Sequence, residues 1–472
     1  MSSNSTNSGM SRRELIKTSG KVVAATTLAG MVVPNVHAGE NNEIKIALVG
    51  CGGRGTGAAE NAMKAKNGNT KLVAMADVFK SHLQNSHNVL KGNGSITKQI
   101  DVPDHRRFVS FDGYKHAMDC LNPGDIVILT TPPAFRWVHF TYAIQKGLNV
   151  FMEKPVAVDA PAARKMLQLG KEAQKKNLKV GVGLMCRHCR VRAELYKRIK
   201  DGQIGDIVSL RAYRQAGHTA KENAPWPPRE GMSELLHQIY WFHSFLWASG
   251  GCYSDFLIHH IDECCWMKDA WPVMVKGSGG REYNNTKHND QNFDTYSIEY
   301  IFGDGARLHL EGRTIPGCAS EFASYAHGTK GSAVISRDNH SPAHCRIYKG
   351  QNMARNHNDP NITWKWPSED EPNPYQTEWD DLIEAIHQDK PYNEVERGTM
   401  AALVTAMGRY AAHTGQMVKL AEYLHHNESF APDVDKLTYE YPAPVLAAKD
   451  GKYPVPQPGR HSRNQEYYVR KT

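Results

Sequence analysis

The chain has 472 residues, 40% of them hydrophobic and 22% charged, with a formal net charge of +8. That composition describes a soluble globular chain long enough for two or three domains with ample core. The charge is spread thinly, with no Lys/Arg run and no aromatic interleaving, which argues against a nucleic-acid surface.

Residues 11–17 read Ser-Arg-Arg-Glu-Leu-Ile-Lys, a twin arginine followed by apolar residues and lysine. The stretch 22–33 is weakly apolar and carries Thr26, Thr27 and Gly30, so it is too short and too polar to span a bilayer. Val36-His37-Ala38 offers a small-residue cleavage site before Gly39. The reading is a twin-arginine signal peptide over 1–38, a periplasmic destination, and no membrane insertion once the leader is removed. Free nicotinamide does not circulate outside the inner membrane, so a dinucleotide cofactor there must be tightly bound or recycled within one turnover.

The stretch 44–57 organises the rest. A buried-strand pattern over 44–49 runs into Gly50, Gly52, Gly53, Arg54 and Gly55, and 58–66 reads as a helix. This is G-x-G-x-x-G after a strand: Gly50 for the tight turn, Gly52 for close approach of backbone to a diphosphate, Gly55 for helix-on-strand packing. The helix N-terminus offers free N–H groups and a positive dipole end. A second strand, 71–76, ends in Asp77, placed to accept hydrogen bonds from an adenosine ribose. A carboxylate there favours NAD, because it repels a 2′-phosphate. The Arg54 guanidinium could instead pair with such a phosphate and admit NADP.

Strand 124–129 ends in Thr130-Thr131-Pro132-Pro133, a break at the carboxyl edge where open α/β sheets bind ligands. Helix 139–145 and strand 149–152 follow, and the strand runs into Glu153-Lys154-Pro155. Helix 160–176 and strand 179–185 complete a doubly wound parallel sheet, giving a Rossmann domain over 43–186. Residues 207–215, 296–302 and 307–312 are alternating β runs, the last two joined by a Phe302-Gly303-Asp304-Gly305 turn. They predict a second α/β domain, 187–431, with a large, mostly antiparallel open sheet. A helix is expected over 254–266 and others over 378–388 and 398–414, with an extended tail over 432–472. Nine cysteines at irregular spacings form no disulfide framework. Cys186-Arg187-His188-Cys189 lacks a second half with ligand spacing, so no metal is expected.

At Gly50–Gly55, Thr130–Pro133 and Glu153-Lys154-Pro155 the chain resembles the Gfo/Idh/MocA oxidoreductases, NAD(P)-dependent enzymes acting mainly on sugars and polyols. The resemblance extends to Gly250-Gly251 with Asp255, His259 and Asp262, to Gly328-Thr329-Lys330-Gly331, and to the closing helix 398–414, which is expected to pack back on the Rossmann domain. Leu257 departs from it, standing where glycine is common. The resemblance implies that Lys154 and His259 face the nicotinamide, that the Lys154–Pro155 bond is cis, and that the second sheet mediates a homodimer or homotetramer.

Oxidising a hydroxyl requires a base within hydrogen-bond reach of its proton. Asp255 and His259 are four apart on one helix face. His259 is read as the general base, with Lys154 donating to the same oxygen or relaying the proton, Asp255 binding a neighbouring hydroxyl, and Asp262 holding the imidazole in one tautomer. Glu153 either packs against the cofactor or caps its loop. Arg187 either binds substrate or meets the second sheet. Trp241 is a candidate platform for a sugar ring, with core packing as its other use.

Three functions remain open: an exported NAD-dependent sugar, glycoside or polyol dehydrogenase; a redox-neutral glycoside-cleaving enzyme passing through a transient keto-sugar; and a binding protein without turnover. The retained Glu-Lys-Pro motif favours the first and the export signal the second. Oxidation of one sugar and reduction of another on the same bound cofactor reconciles them. The Lys154/His259 pair argues against a binder.

Overall fold

The computed structural model describes residues 43–281, 290–356, 358–366 and 371–459. The expected signal peptide and the end of the tail lie outside the described residues.

Six strands form a wholly parallel sheet: β1 (Ile44–Val49), β2 (Thr70–Asp77), β3 (Arg107–Val109), β4 (Ile126–Leu129), β5 (Asn149–Met152) and β6 (Val180–Val182). Their order, 3-2-1-4-5-6, reverses direction between β1 and β4, so a crevice opens at the carboxyl ends of those two strands. Apart from the half-exposed edge strand β3, the strands are buried on both faces and are near-continuous apolar runs, as a helix-covered parallel sheet requires. One covering helix comes from the far end of the sequence. Pro374–His387 lays Trp379, Leu382 and Ile383 on Ile46, Leu48 and Phe151, with the Phe151 and Trp379 rings stacked at 4.5 Å. That segment was assigned by sequence to the second domain, and in space it covers the first.

Nine strands form the second sheet: β7 (Ile207–Ala216), β8 (Met274–Gly280), β9 (Thr295–Ile301), β10 (Arg307–Thr314), β11 (Glu321–Gly328), β12 (Gly331–Arg337), β13 (Arg346–Lys349), β14 (Ile362–Lys365) and β15 (Val418–Lys419). Their order is 14-13-12-11-7-10-9-8-15, antiparallel throughout except for the β7–β10 pair. The turn at 302–305 joins β9 to β10 in register, with Ile301 opposite Arg307. On β9 and β10, Tyr296, Ile298, Tyr300, Leu308 and Leu310 point inward, while Ser297, His309 and Glu311 face out.

Two helices bind the domains together. Val395–Thr414 starts against the Rossmann layer, where glycine allows contact: a Cβ at Gly398 would lie 2.7 Å from Val182 Cγ1. Further along, a Cβ at Gly408 would lie 2.0 Å from the Tyr300 hydroxyl of the second sheet. From this helix the buried Arg409 donates to Ser254 Oγ (2.8 Å) and to the Val158 carbonyl (3.0 Å). It thereby ties Gly251–Lys268, which carries Asp255 and His259, to the segment just after Lys154. The tail wraps the region before that helix, burying Val434, Leu437, Val445 and Tyr453 with Phe245 and Trp247.

Candidate active site

The dinucleotide end is made by backbone. Gly50 has φ +97°, and a Cβ there would lie 2.6 Å from the Thr131 nitrogen. A Cβ at Gly55 would lie 2.0 Å from the Gly50 carbonyl oxygen, so only glycine lets helix Gly53–Met63 seat against the turn. At Gly52 and Gly53 the same construction meets open space. The loop is therefore tight where it must pack and vacant where a diphosphate would lie against the helix N-terminus. Asp77 braces it: Cys51 N–H donates to Oδ2 (2.6 Å) and Phe79 N–H to Oδ1 (2.8 Å). Burial raises the Asp77 carboxyl above its ordinary range in spite of these donors.

From β4, Thr130 Oγ1 donates to the Gly50 carbonyl (2.6 Å), and Thr131 Oγ1 lies 3.2 Å from His139 Nδ1. Arg136, buried below Pro132, donates to the carbonyls of Leu129 (2.5 Å) and Thr131 (2.9 Å), which fixes this edge. Arg54 is not beside Asp77. Its Nε lies 2.8 Å from Glu153 Oε1, and its guanidinium covers the Tyr375 ring at 4.9 Å. The suggested pairing of Arg54 with a 2′-phosphate is thus replaced by a clasp onto Glu153, and Glu153 acquires a definite partner.

The other end is made of side chains from two domains. Lys154 follows β5, and the Lys154–Pro155 bond is cis. Lys154 Nζ donates to the Asp255 carbonyl (2.5 Å) and lies 3.3 Å from Asp255 Oδ1. Asp255 Oδ2 in turn lies 3.0 Å from His243 Nε2. Burial opposes ionisation of Asp255, but Lys154 and then His243 outweigh it and hold the carboxyl well below its ordinary range. His259, one turn on, is buried. Burial first, then Lys154 and His260, push its imidazole well below the ordinary histidine range, so it is neutral. Its Nδ1 lies 4.0 Å from Cys186 Sγ, and His340 Nδ1 lies 3.6 Å from the same sulfur.

A single cavity of about 1040 Å³ joins the two ends. Gly50, Gly52, Gly53, Arg54, Gly55, Asp77, Thr130, Thr131, Pro132, Glu153, Lys154, Asp255 and His259 all border it. Arg187 and Trp241 do not. Arg187 is locked in a two-point ion pair with Asp262 (Nε–Oδ2 2.8 Å, Nη2–Oδ1 2.8 Å), beneath Trp266. That pair corrects two expectations: Arg187 is a strut rather than a substrate ligand, and Asp262 holds Arg187 rather than the His259 imidazole. Trp241 packs beside Tyr240, away from the cavity wall, so its core-packing use stands and its platform role falls. Leu257 points at the second sheet, where Gly312 makes room: a Cβ on Gly312 would lie 2.7 Å from Leu257 Cδ2. The departure from glycine is absorbed by packing and leaves the cavity untouched.

Sequence reasoning noticed His243 only as one of the aromatic residues before the motif helix, and it missed Arg214, Phe256 and Tyr375, which also border the cavity, and the meeting of Cys186, His259 and His340. His243 and Phe256 sat in a stretch rich in aromatics, with nothing to separate wall from core. Cys186 and His340 are 154 residues apart, a spacing that no local motif encodes.

A glycine turn at a sheet switch point, opening into a cavity walled by lysine, aspartate and histidine from a second domain, defines a two-domain dinucleotide-dependent oxidoreductase. Residues 44–183 match the model of the Gfo/Idh/MocA oxidoreductase family's NAD-binding Rossmann fold, and 193–334 match the family's C-terminal domain. The chain belongs to that family. Among curated proteins it is similar to scyllo-inositol 2-dehydrogenase (NAD(+)) of Bacillus subtilis (strain 168), 25% identical over 66% of this chain and 79% of the relative. The crystal structure of aldose-aldose oxidoreductase from Caulobacter crescentus complexed with glycerol superposes with TM-score 0.59 at 18% identity, covering 80% of this chain and 99% of that one. That of scyllo-inositol dehydrogenase from Lactobacillus casei with bound NAD(H) and scyllo-inositol gives 0.57 at 20% identity with the same coverage.

Proposed function

We propose that this protein moves a hydride between NAD held along the glycine turn and a hydroxyl-bearing carbon of a sugar or polyol. The observation that carries the reading is one cavity reaching from Gly52 and Asp77 to Lys154, Asp255 and His259. The name of the Bacillus relative, an NAD(+)-dependent inositol dehydrogenase, supports both the cofactor and a cyclic polyol or sugar as substrate. Bound NAD supplies a hydride acceptor at the nicotinamide ring.

The chain's own residues do the rest. Lys154, positioned by the Asp255 carbonyl, donates to the substrate oxygen and favours its alkoxide form. Neutral His259 is in the form that takes up the hydroxyl proton. Asp255, held ionised, accepts from a neighbouring hydroxyl while His243 fixes its rotamer. The clasp of Arg54 on Glu153 and the reach of Lys221 and Tyr240 over the Asp77 end support tight retention of the cofactor. Retention is what the twin-arginine reading of residues 11–17 calls for, since we place the reaction in the periplasm, where the cofactor must be reoxidised without leaving. The outward polar face of the second sheet is the proposed contact of a homodimer or homotetramer.

The test is titration of the purified protein with inositols and aldoses while the near-ultraviolet band of reduced nicotinamide is followed. A band that appears with substrate, and is discharged by a second keto-sugar or aldose without cofactor release, supports the reading. No nucleotide bound or acquired, and no band with any polyol, contradicts it.

A further inference from the structure

We propose that Cys186 Sγ, His259 Nδ1 and His340 Nδ1 bind one divalent transition-metal ion of the zinc class, with a fourth coordination position open to the cavity for a substrate hydroxyl oxygen. The three atoms all lie within 4.8 Å of one another, and the sulfur is 3.6 Å from one ring nitrogen and 4.0 Å from the other. Tetrahedral zinc, with Zn–S about 2.3 Å and Zn–N about 2.0–2.1 Å, requires S···N near ~3.5 Å and N···N near ~3.3 Å. The sulfur–nitrogen distances are within about 0.5 Å of that geometry, while the ring nitrogens, bounded at 4.8 Å, would draw together by up to about 1.5 Å on metal entry. A thiolate with two imidazoles is the donor set of zinc and cobalt rather than of magnesium or calcium.

The three ligands are held from three directions. Cys186 sits in a short 3-10 turn (Met185–His188) just after β6, His259 on helix Gly251–Lys268, and His340 on the loop after β12. The His340 loop is pinned by Arg192, whose Nη1 donates to the His340 carbonyl (2.8 Å) and whose Nε donates to Glu263 Oε2 (2.8 Å). Glu263 Oε1 accepts from Ser336 Oγ (2.6 Å), so a fully buried frame stands behind the ligands. Outer hydrogen bonds of this kind orient first ligands in metal sites.

The simpler arrangement is a thiol shared among both rings and the Met185 thioether, whose Sδ lies 3.3 Å from Cys186 Sγ. Among the described residues Cys186 Sγ is the only hydrogen-bonding partner of either Nδ1. One S–H can donate to one ring only, which leaves the other with a long contact to a weak acceptor. A metal ion satisfies all three atoms at once. His259 and His340 border the cavity beside Lys154 and Arg214, which places the open position at the substrate end. Three protein ligands with one open position is the pattern of catalytic rather than structural zinc. A substrate hydroxyl at the open position would bind through its neutral oxygen, with no proton released at that step; with Nδ1 on the ion His259 is a ligand, and its role as proton acceptor belongs to the metal-free protein. Binding of the ion stands independently of the hydride-transfer reading except at His259, which both use; the coordinated substrate oxygen rests on that reading.

The test is titration of chelator-treated full-length protein with cobalt(II), followed by the near-ultraviolet thiolate-to-cobalt band. One equivalent is expected to bind with that band. Cys186→Ser should remove the band, and His340→Gln should weaken binding at least tenfold while keeping it, both with melting temperatures close to the parent's. Lys154→Met should lose nicotinamide reduction yet retain the band, so a failure of hydride transfer and a failure of the metal site are told apart. Absence of the band in the parent, or an unchanged spectrum and affinity in Cys186→Ser, overturns the site. A cobalt spectrum that does not shift on adding a polyol the protein oxidises overturns the open-position assignment.

Discussion

The two ends of the cavity are built by different means. At the dinucleotide end, backbone does the work: Gly50 turns, Gly52 and Gly53 leave space, and Gly55 lets the helix close, all within six residues. At the substrate end, side chains do it. Lys154 comes from one domain, Asp255, His259 and His243 from the other, and Arg409 of a late helix holds the two parts in contact. The first can be read from spacing because its contacts are local. The second depends on contacts 101 residues apart, such as Lys154 to Asp255, which only folding creates.

Lys154→Met breaks the comparison hardest. Loss of a positioned proton-handling group costs about 10²–10⁴-fold in rate. The substitution should therefore abolish single-turnover reduction of bound NAD while leaving NAD affinity within about twofold. A matched loss of NAD affinity would show that the two ends are not separable. Gly55→Ala acts at the opposite end. Its Cβ collides with the Gly50 carbonyl oxygen, and overpacking of this kind costs about 1–3 kcal/mol. NAD affinity should fall about ten- to hundredfold, with the hydride-transfer step in the saturated complex nearly unchanged. Calorimetric titration and rapid-mixing absorbance measure the two quantities separately.

Smaller is the discrimination between cofactors. With Arg54 committed to Glu153, the Asp77 carboxylate is the charge the first domain presents at the ribose edge, with His82 beside it (Nδ1–Oδ1 3.8 Å), and NAD should bind at least about tenfold tighter than NADP, a difference of ~1.4 kcal/mol. Asp77→Ala should narrow that ratio, and equal affinities in the parent would contradict the placement of Arg54. The smallest effect lies behind the site. His188 bridges Asp381 (2.7 Å) and Glu394 (3.2 Å); burial opposes its charge, but the two carboxylates win and raise it to about 9. A folded value above the unfolded one, about 6.5, means its stabilisation is fully present below about pH 6.5 and is lost as pH rises through about 9. The parent's melting temperature should fall by a few degrees over that window, and His188→Gln should flatten the fall. An equal slope in the variant would show that the histidine is not the titrating group.

Legibility followed the same division. Strands β1, β2, β4 and β5 were visible because burial on both faces makes them short apolar runs bounded by turn residues. β3 was missed: it has three residues, Arg107–Val109, and a half-exposed pattern. Much of the second sheet also escaped, since β8 reads Met-Val-Lys-Gly-Ser-Gly-Gly, too glycine-rich to declare a strand. Helix Gly251–Lys268 was expected to begin at residue 254; it begins earlier because Gly250 and Gly251, at φ +78° and +74°, turn the chain into it. Lys154, Asp255 and His259 reached the cavity, whereas Asp262, Arg187 and Trp241 did not, because proximity in sequence to a site residue does not fix which way a side chain faces. The metal site proposed above lay beyond the reach of that reading for the complementary reason. A ligand set was sought in local spacing around Cys186, and its partners stand on a helix and a loop of the other domain.

The most direct measurement is a crystal structure of the protein with NAD. The diphosphate is expected against the Gly52 and Gly53 backbone, the adenosine ribose at Asp77, and the nicotinamide ring bordered by Lys154 Nζ and the His259 imidazole. A nicotinamide ring lying away from both side chains, or a diphosphate bound anywhere other than the glycine turn, would contradict it.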